Sequence, residues 1–467
     1  MAWGEEAVRD ERVAPKGMPK ALRSRLSGKL SRWHADWTKR NEHQAQFQPQ
    51  GRKEGSDYNL HYVDMDAPLE AQIDFDRRAE EIFGYDPDTR QPLPEPEYQE
   101  RFRGALLAAE AGDALGRAVD TGAVYELPWS PDLELKGDKV LTEYVLGNDV
   151  GGSSAVTQLM AFTMEGLIRL GVRMRGESGP PTPVIQHAMQ RWLHTQRFPT
   201  GQGWNVSGGP YAAHAPQPDG WLVATEILYR DGAADPATVV ELERFADTGE
   251  LSSLRRPTAR ARGSAVLPRV AGLAACSNDA DPAFYGAANI AALTHTSRDD
   301  CLAAGALAVI LHQQIRDQPF YDCITAAQEI LRRHRGAERV LRKIDLALTM
   351  NQEYWVPASR QDMRKPFPDG GSDGAEALGL ALYCAMASDY VREALQLAMN
   401  YSAHRSVVGA VTGLLIGAEC GVRAIPADLR AAAPLADVVD TLAEDEIAEY
   451  STNPPRDESW FRRYPGW

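Results

Sequence analysis

The chain of 467 residues is poor in cysteine: there are five, Cys276, Cys301, Cys323, Cys384 and Cys420, an odd number with no CxxC spacing. That excludes a disulfide framework and a cysteine zinc site, and it fits a reducing compartment. Long apolar runs are missing as well. No stretch of 18 apolar residues occurs, so no membrane-spanning helix and no membrane partner are expected. The opening "MAWGEEAVRDERV" has no apolar core, so a secretory signal is not expected and the location expected is cytoplasmic. Positive charge is in deficit. A net charge of −15 argues against nucleic acid as a partner for the chain as a whole. Absent too are G-x-S-x-G, HExxH, a P-loop, a G-x-G-x-x-G after a strand, and any fixed-period repeat.

What is present changes along the chain. Residues 1–50 hold ten Lys/Arg against six Asp/Glu, with Trp3, Trp33 and Trp37 among them. The remainder is therefore more acidic than the total implies. A basic, aromatic arm of this kind either folds over its own acidic body or captures a protein partner. Residues 51–97 are polar and Pro-rich and read as a connector. From residue 98 helical patterns take over, and strand-like alternation is scarce. The expected fold is all-α, with one helical domain over 98–445 and an aromatic tail over 446–467 that packs on it.

Helix signals are strong in several segments. "YQERFRGALLAAEAGDALGRAV" (98–119) is rich in helix formers and small residues. In 154–170, Val156, Leu159, Met160, Thr163 and Leu167 share one face, and Ser154 (or Ser153) has the hydroxyl of an N-cap. "NYSAHRSVVGAVTGLLIGAECG" (400–421) places Val407, Val408, Val411, Leu414, Leu415 and Ala418 on one face. Gly409, Gly413 and Gly417 stand four apart, which lets a second helix approach closely. Its entry is unusual: Ser402, Ala403, His404, Arg405 and Ser406 contain no acid.

Four stretches taken together resemble the ADP-ribosylglycohydrolase family, which includes the dinitrogenase reductase-activating glycohydrolases. They are "FRGALLAAEAGDALGRA" (102–118), "GGSSAVTQLMAFTMEGLIR" (151–169), the region 261–307 with "ARGSAVLPRVAGLA" and "ALTHTS", and the entry into the glycine-rich helix. "PDGWLV" (218–223) adds to the resemblance. The resemblance implies an all-α domain with two Mg²⁺ in a cleft, cleaving the bond between ADP-ribose and a protein side chain. It also implies carboxylate ligands for those ions, from T-D-D on one helix and D-x-D-T on another. Hard Mg²⁺ prefers such oxygen donors.

In this chain the T-D-D positions are Ser154, Ala155 and Val156, and the D-x-D-T positions are His404, Arg405, Ser406 and Val407. All four aspartates are replaced. No acidic residue lies between Gly151 and Met164, or between Asn400 and Ala418, so a shifted alignment restores none. No metal cofactor is therefore expected, although the resemblance implies Mg²⁺. The family's Asn-Gly loop corresponds to Arg262, Gly263, Ser264 and Ala265, a candidate cradle for a diphosphate. His295 matches the family histidine near the ribose, and Arg405 is a further candidate ligand contact. Asp113 matches the acid of the family's G-D-A-L-G, and it reads as a helix-end or packing residue.

His404 reads first as a polar helix-entry residue, then as a hydrogen-bond donor to ligand, and it is the candidate catalytic acid or base. The leading expectation is a pseudoenzyme that binds an ADP-ribose-like ligand or a protein partner in the old cleft. The alternatives are a metal-free enzyme acting on a nucleotide-like or other small substrate, and an active Mg²⁺-dependent hydrolase.

Overall fold

The computed structural model describes residues 96–120, 154–176, 181–196, 217–353, 357–388, 390–431 and 433–466. The basic arm, nearly all of the connector, and Gly151–Ser153 lie outside them. Helices longer than ten residues are numbered in chain order: α1 Tyr98–Asp120, α2 Ala155–Met174, α3 Thr182–Thr195, α4 Pro236–Thr248, α5 Ala280–Ala291, α6 Arg298–Gln314, α7 Phe320–Arg332, α8 Glu338–Glu353, α9 Gly374–Met386, α10 Val391–Tyr401, α11 Arg405–Cys420 and α12 Ala436–Glu449. Among the described residues there is no strand; a single parallel bridge joins Ala261 and His295. The fold is all-α.

The centre is the antiparallel pair α1 and α11. Val407 through Ala418 are all buried, so α11 is enclosed on every side and its apolar face has no polar opposite. The glycine spacing decides how α1 meets it. A Cβ at Gly417 would lie 2.2 Å from the Gly104 carbonyl oxygen, at Gly413 2.1 Å from that of Ala108, and at Gly409 2.4 Å from that of Gly112. Backbone therefore touches backbone along the whole seam, where Cα–H groups meet carbonyl oxygens. α2 and α12 pack against one side of α1, and α9 and α10 against α11. The α5–α6 pair and the 3₁₀ segment Pro268–Ala274 form a further layer over α2.

Buried charge ties the loops to this frame. Glu165 on α2 accepts from Arg169 at 2.9 Å and from Arg191 on α3 at 3.0 Å, with all three side chains inaccessible. Arg169 also holds the Asp219 carboxylate at 2.9 Å. Burial, together with Arg169 alongside, lowers the Arg191 guanidinium to about 10. Gly220 sits at φ +95°, and a Cβ there would fall 1.9 Å from Arg169 Nη2. Only glycine lets "PDGWLV" turn over that network.

The C-terminal boundary differs from the one expected at 445. α12 continues to Glu449, and the short helix Glu458–Arg463 docks through Trp460 and Tyr464. Trp460 donates to Glu449 at 2.9 Å, and both aromatic rings are buried. The aromatic tail belongs to the body because α12 gives its rings acceptors.

Candidate functional site

The two positions that resemble metal-binding helix ends do meet in space, and an acid stands between them. It is Asp113 on α1, fully buried. Gly112 and Gly116 bring α1 against the first turns of α11: a Cβ at Gly116 would lie 2.3 Å from the Ser406 nitrogen. Ser154 is the N-cap of α2, with its hydroxyl accepting from the Val156 N–H at 3.0 Å. That hydroxyl donates to Asp113 Oδ1 at 2.6 Å, and the Ser154 N–H donates to Oδ2 at 3.2 Å. Thr157 adds its hydroxyl at 2.7 Å and its N–H at 3.3 Å, both to Oδ2. Ser406, on the first turn of α11, is a third hydroxyl partner.

One carboxylate thus joins the N-terminal turns of two helices, where backbone N–H groups and the helix dipoles favour negative charge. Burial still raises the carboxyl above its ordinary range, and the three hydroxyls and the Thr157 N–H pull it part of the way back.

The other candidates lie along a chain of loops beside this node. Gly370 O accepts from the Ala403 N–H at 3.0 Å and from the Ser402 hydroxyl at 2.9 Å. Ser372 O accepts from the Ser264 N–H at 3.2 Å. Asp300 accepts from the Gly263 N–H at 2.9 Å and the Gly374 N–H at 2.8 Å. The 369–373 loop therefore links the His404 entry to the Gly263 loop. Of the candidate cradle, Gly263 and Ser264 already give their N–H groups to protein acceptors. Gly263 adopts φ +132°, a conformation that favours glycine, and Arg262 is exposed.

His404 is exposed, and its imidazole makes no side-chain cap of α11. Arg405 turns away from a free anion site: it donates to Met399 O at 3.0 Å and pairs with Asp120 at 3.0 Å. His295 is fully buried, and its Nδ1 lies 2.9 Å from the Thr294 hydroxyl. Burial, with Arg269 nearby, lowers its imidazole to about 3, so the ring is neutral at physiological pH.

The donor set does not fit Mg²⁺. Ala155, Val156 and Val407 carry no donor atom, and the Ser154 and Ser406 hydroxyls are turned to Asp113. Asp113 itself has both oxygens engaged. Among the described residues no group of three or more His, Cys, Asp or Glu side chains converges as metal ligands.

A sequence model described as ADP-ribosylglycohydrolase matches residues 94–456. The chain belongs to the ADP-ribosylglycohydrolase family. Among solved structures, it is similar to a chain of an ADP-ribosylglycohydrolase-related protein complex, at 21% identity and a TM-score of 0.49, covering 76% of this chain and 99% of that one. No curated protein matches. The four stretches that carried the resemblance all fall inside the family match.

The sequence reads Asp113 as a helix-end or packing residue; it stands inside α1, seven residues from its end, and is buried, while Thr157, Thr294 and Asp300 carry no signal of their own in the sequence. Two acids, Glu110 and Asp113, in "AAEAGDALGRA", a segment otherwise made mostly of small and apolar residues, were the available signal.

Proposed function

We propose that this family member has lost the ligands of a binuclear Mg²⁺ centre, keeps beside their positions one internally satisfied carboxylate, and serves as a metal-free binding protein. Its ligand is an ADP-ribose-like molecule in the old cleft. The observation that carries the reading is Asp113, whose two oxygens take Ser154, Thr157 and Ser406 at the two helix ends where the family places its aspartates. The four ligand carboxylates and two cations that the resemblance implies are absent from this reading, and the acid that stays, Asp113, is answered by hydroxyls and N–H groups. Without the metals the cleft no longer generates the attacking water that two-metal hydrolysis requires. Without the carboxylates it also no longer repels an anion.

Binding is then left to hydrogen-bond donors. Each charge-assisted bond contributes about 1.5–3 kcal/mol, and micromolar affinity corresponds to about −8 kcal/mol. Two or three such bonds with a buried base reach that level. The test is calorimetric titration of ADP-ribose with Mg²⁺ and with EDTA, paired with an assay for ADP-ribose released from a modified protein. The reading expects binding insensitive to EDTA and no release. Loss of binding on chelation overturns it. Mg²⁺-dependent release establishes the hydrolase instead, and release in EDTA the metal-free enzyme.

A further inference from the structure

A cavity of about 930 Å³ lies at the C-terminal end of α2, away from the Asp113 node. Its wall takes Leu167 and Leu170 from α2, Ile185 from α3, Leu273 from the 3₁₀ segment Pro268–Ala274 and Ile290 from α5. At 1.5 Å per residue, the stretch Leu167–Met174 stands about 20 to 30 Å along the helix from Ser154. The volume is that of a site for a small organic ligand, and a mostly apolar lining with a few polar groups is the usual make-up of one.

The inner end of the cavity is neutral. Cys276 lines it, its thiol donating to Glu446 Oε1 at 3.2 Å. Glu446 is fully buried, and its Oε2 has no partner among the described residues. Burial pushes the Glu446 carboxyl well up. Burial raises the Cys276 thiol too, and the acid beside it adds to the shift. Tyr450, also in the lining, donates its hydroxyl to Leu167 O at 2.8 Å, and burial raises it as well. The uncharged form is favoured on all three groups, so the charged end of a ligand gains nothing here.

The mouth differs. Met174, the last residue of α2, is 53% exposed and Tyr285 on α5 is 45% exposed, and both line the cavity. Large apolar side chains exposed at the rim of an apolar hollow mark a surface that something covers. Tyr285 is held by edge contacts with Phe284 and His334, ring centres 5.7 and 5.5 Å away. Charge decides what covers it. The charged side chains of the lining are Arg175, Arg255 and Glu449. Arg175 and Glu449 answer each other, Nε donating to Oε1 at 3.0 Å, and Arg175 also lies over the Phe461 ring. Arg255 is exposed and pairs with no acid among the described residues; its neighbour Arg256 takes Glu250. One uncompensated positive charge is left, at the mouth.

We infer that this cavity binds an amphipathic monocarboxylic acid, its apolar body enclosed by α2, α3 and α5 and its carboxylate on Arg255. One guanidinium balances one negative charge and offers the paired N–H edge that a carboxylate fits. A phosphate monoester would bring nearly two charges at neutral pH, and among the described residues no second free cation lines the site. The apolar body fills the inner end, where a neutral thiol behaves as a small apolar group. This site is separate from the one read above, at the opposite end of α2, and it holds whether or not ADP-ribose binds there.

The test uses the full chain with decanoate as the acid, decanol and decyltrimethylammonium as its neutral and cationic counterparts, and ADP-ribose. One readout is the melting temperature. The other is the rate at which methyl methanethiosulfonate, a small uncharged reagent, modifies Cys276, resolved by peptide mass spectrometry with Cys420 at the end of α11 as reference. Decanoate should raise the melting temperature saturably and, near saturation, slow Cys276 by about fivefold or more while leaving Cys420 unchanged. Decanol should bind about fivefold more weakly, and the cation and ADP-ribose should do neither. Arg255→Met should reduce decanoate to the level of decanol, and Leu170→Trp, which fills the cavity, should abolish both responses. If Leu170→Trp does not fold, Met174→Glu, at an exposed position, opposes the acid in its place. If Cys276 reacts too slowly, Met174→Cys supplies the thiol at the mouth. An absent decanoate response overturns the site, as does a melting response that leaves the cavity thiol unprotected. Decanol equal to decanoate, or a response unaltered in Arg255→Met, overturns the acid. Decanoate binding without ADP-ribose binding removes the ADP-ribose reading alone, and the reverse removes this site alone.

Discussion

Removing the Asp113 carboxylate tests the central node directly. In Asp113→Ala the N–H groups of Ser154 and Thr157 lose their acceptor inside the protein. Two stranded buried donors cost about 1–2 kcal/mol each. The Ser154 and Thr157 hydroxyls, now 2.6 and 2.7 Å from the carboxylate, can rotate toward other acceptors. Their loss of a charged partner adds about 1 kcal/mol together. Part of this is returned, because a carboxylate no longer has to be buried. The net expectation is a loss of about 3 kcal/mol, read as a lower urea midpoint at unchanged slope.

Asp113→Asn should cost less, about 1–2 kcal/mol, since its oxygen can still face the N–H groups of Thr157 and Ser154. The gap between wild type and Asn should also depend on pH. The folded carboxyl is raised above its ordinary 3.8, so the folded state holds the proton longer than the unfolded state. Wild-type stability from this group is then greatest below the unfolded pKa and falls as pH rises through the raised folded value. Asn lacks that titration, so the gap should be widest at acid pH and level off toward neutrality. An Ala variant within about 1 kcal/mol of wild type, an effect too small for a stranded buried pair, would refute the assignment of Asp113 as the node.

Gly413→Ala should destabilise despite the better helix propensity of alanine. Its Cβ would sit 2.1 Å from the Ala108 carbonyl oxygen, and forcing α1 and α11 apart should outweigh the gain of about 1 kcal/mol by a net 2–4 kcal/mol in urea unfolding. Wild type should show no saturable Mg²⁺-dependent rise in melting temperature, whereas a variant with Asp at 155, 156, 404 and 406 should be less stable without metal and recover with Mg²⁺. A saturable wild-type response would contradict the proposed loss of the metal site. Deleting residues 1–50 should change stability or association at low salt, and the change should shrink as salt screens charge; identical melting and oligomeric state at low salt would count against a packed or partner-binding arm.

The helices were legible in the sequence because their signals are local. The apolar face of 407–418, the Ser154 cap and the glycines at 409, 413 and 417 depend on neighbours within a few residues, and each took the form its pattern implies. That no acid stands between Gly151 and Met164 or between Asn400 and Ala418 was legible too, since it needs only residue identities. What the sequence left open is where charge finds its partner. Asp113 meets Ser154 and Thr157 more than forty residues along, and Ser406 on a third helix, only because Gly112 and Gly116 let α11 lie against α1. Asp300 belongs to the same class. Hydrogen-bond satisfaction of a buried polar group is a property of the assembled core, with donors and acceptors drawn from distant segments. Spacing along the chain decides which face of a helix is buried; packing between helices decides whether the polar group on that face is answered.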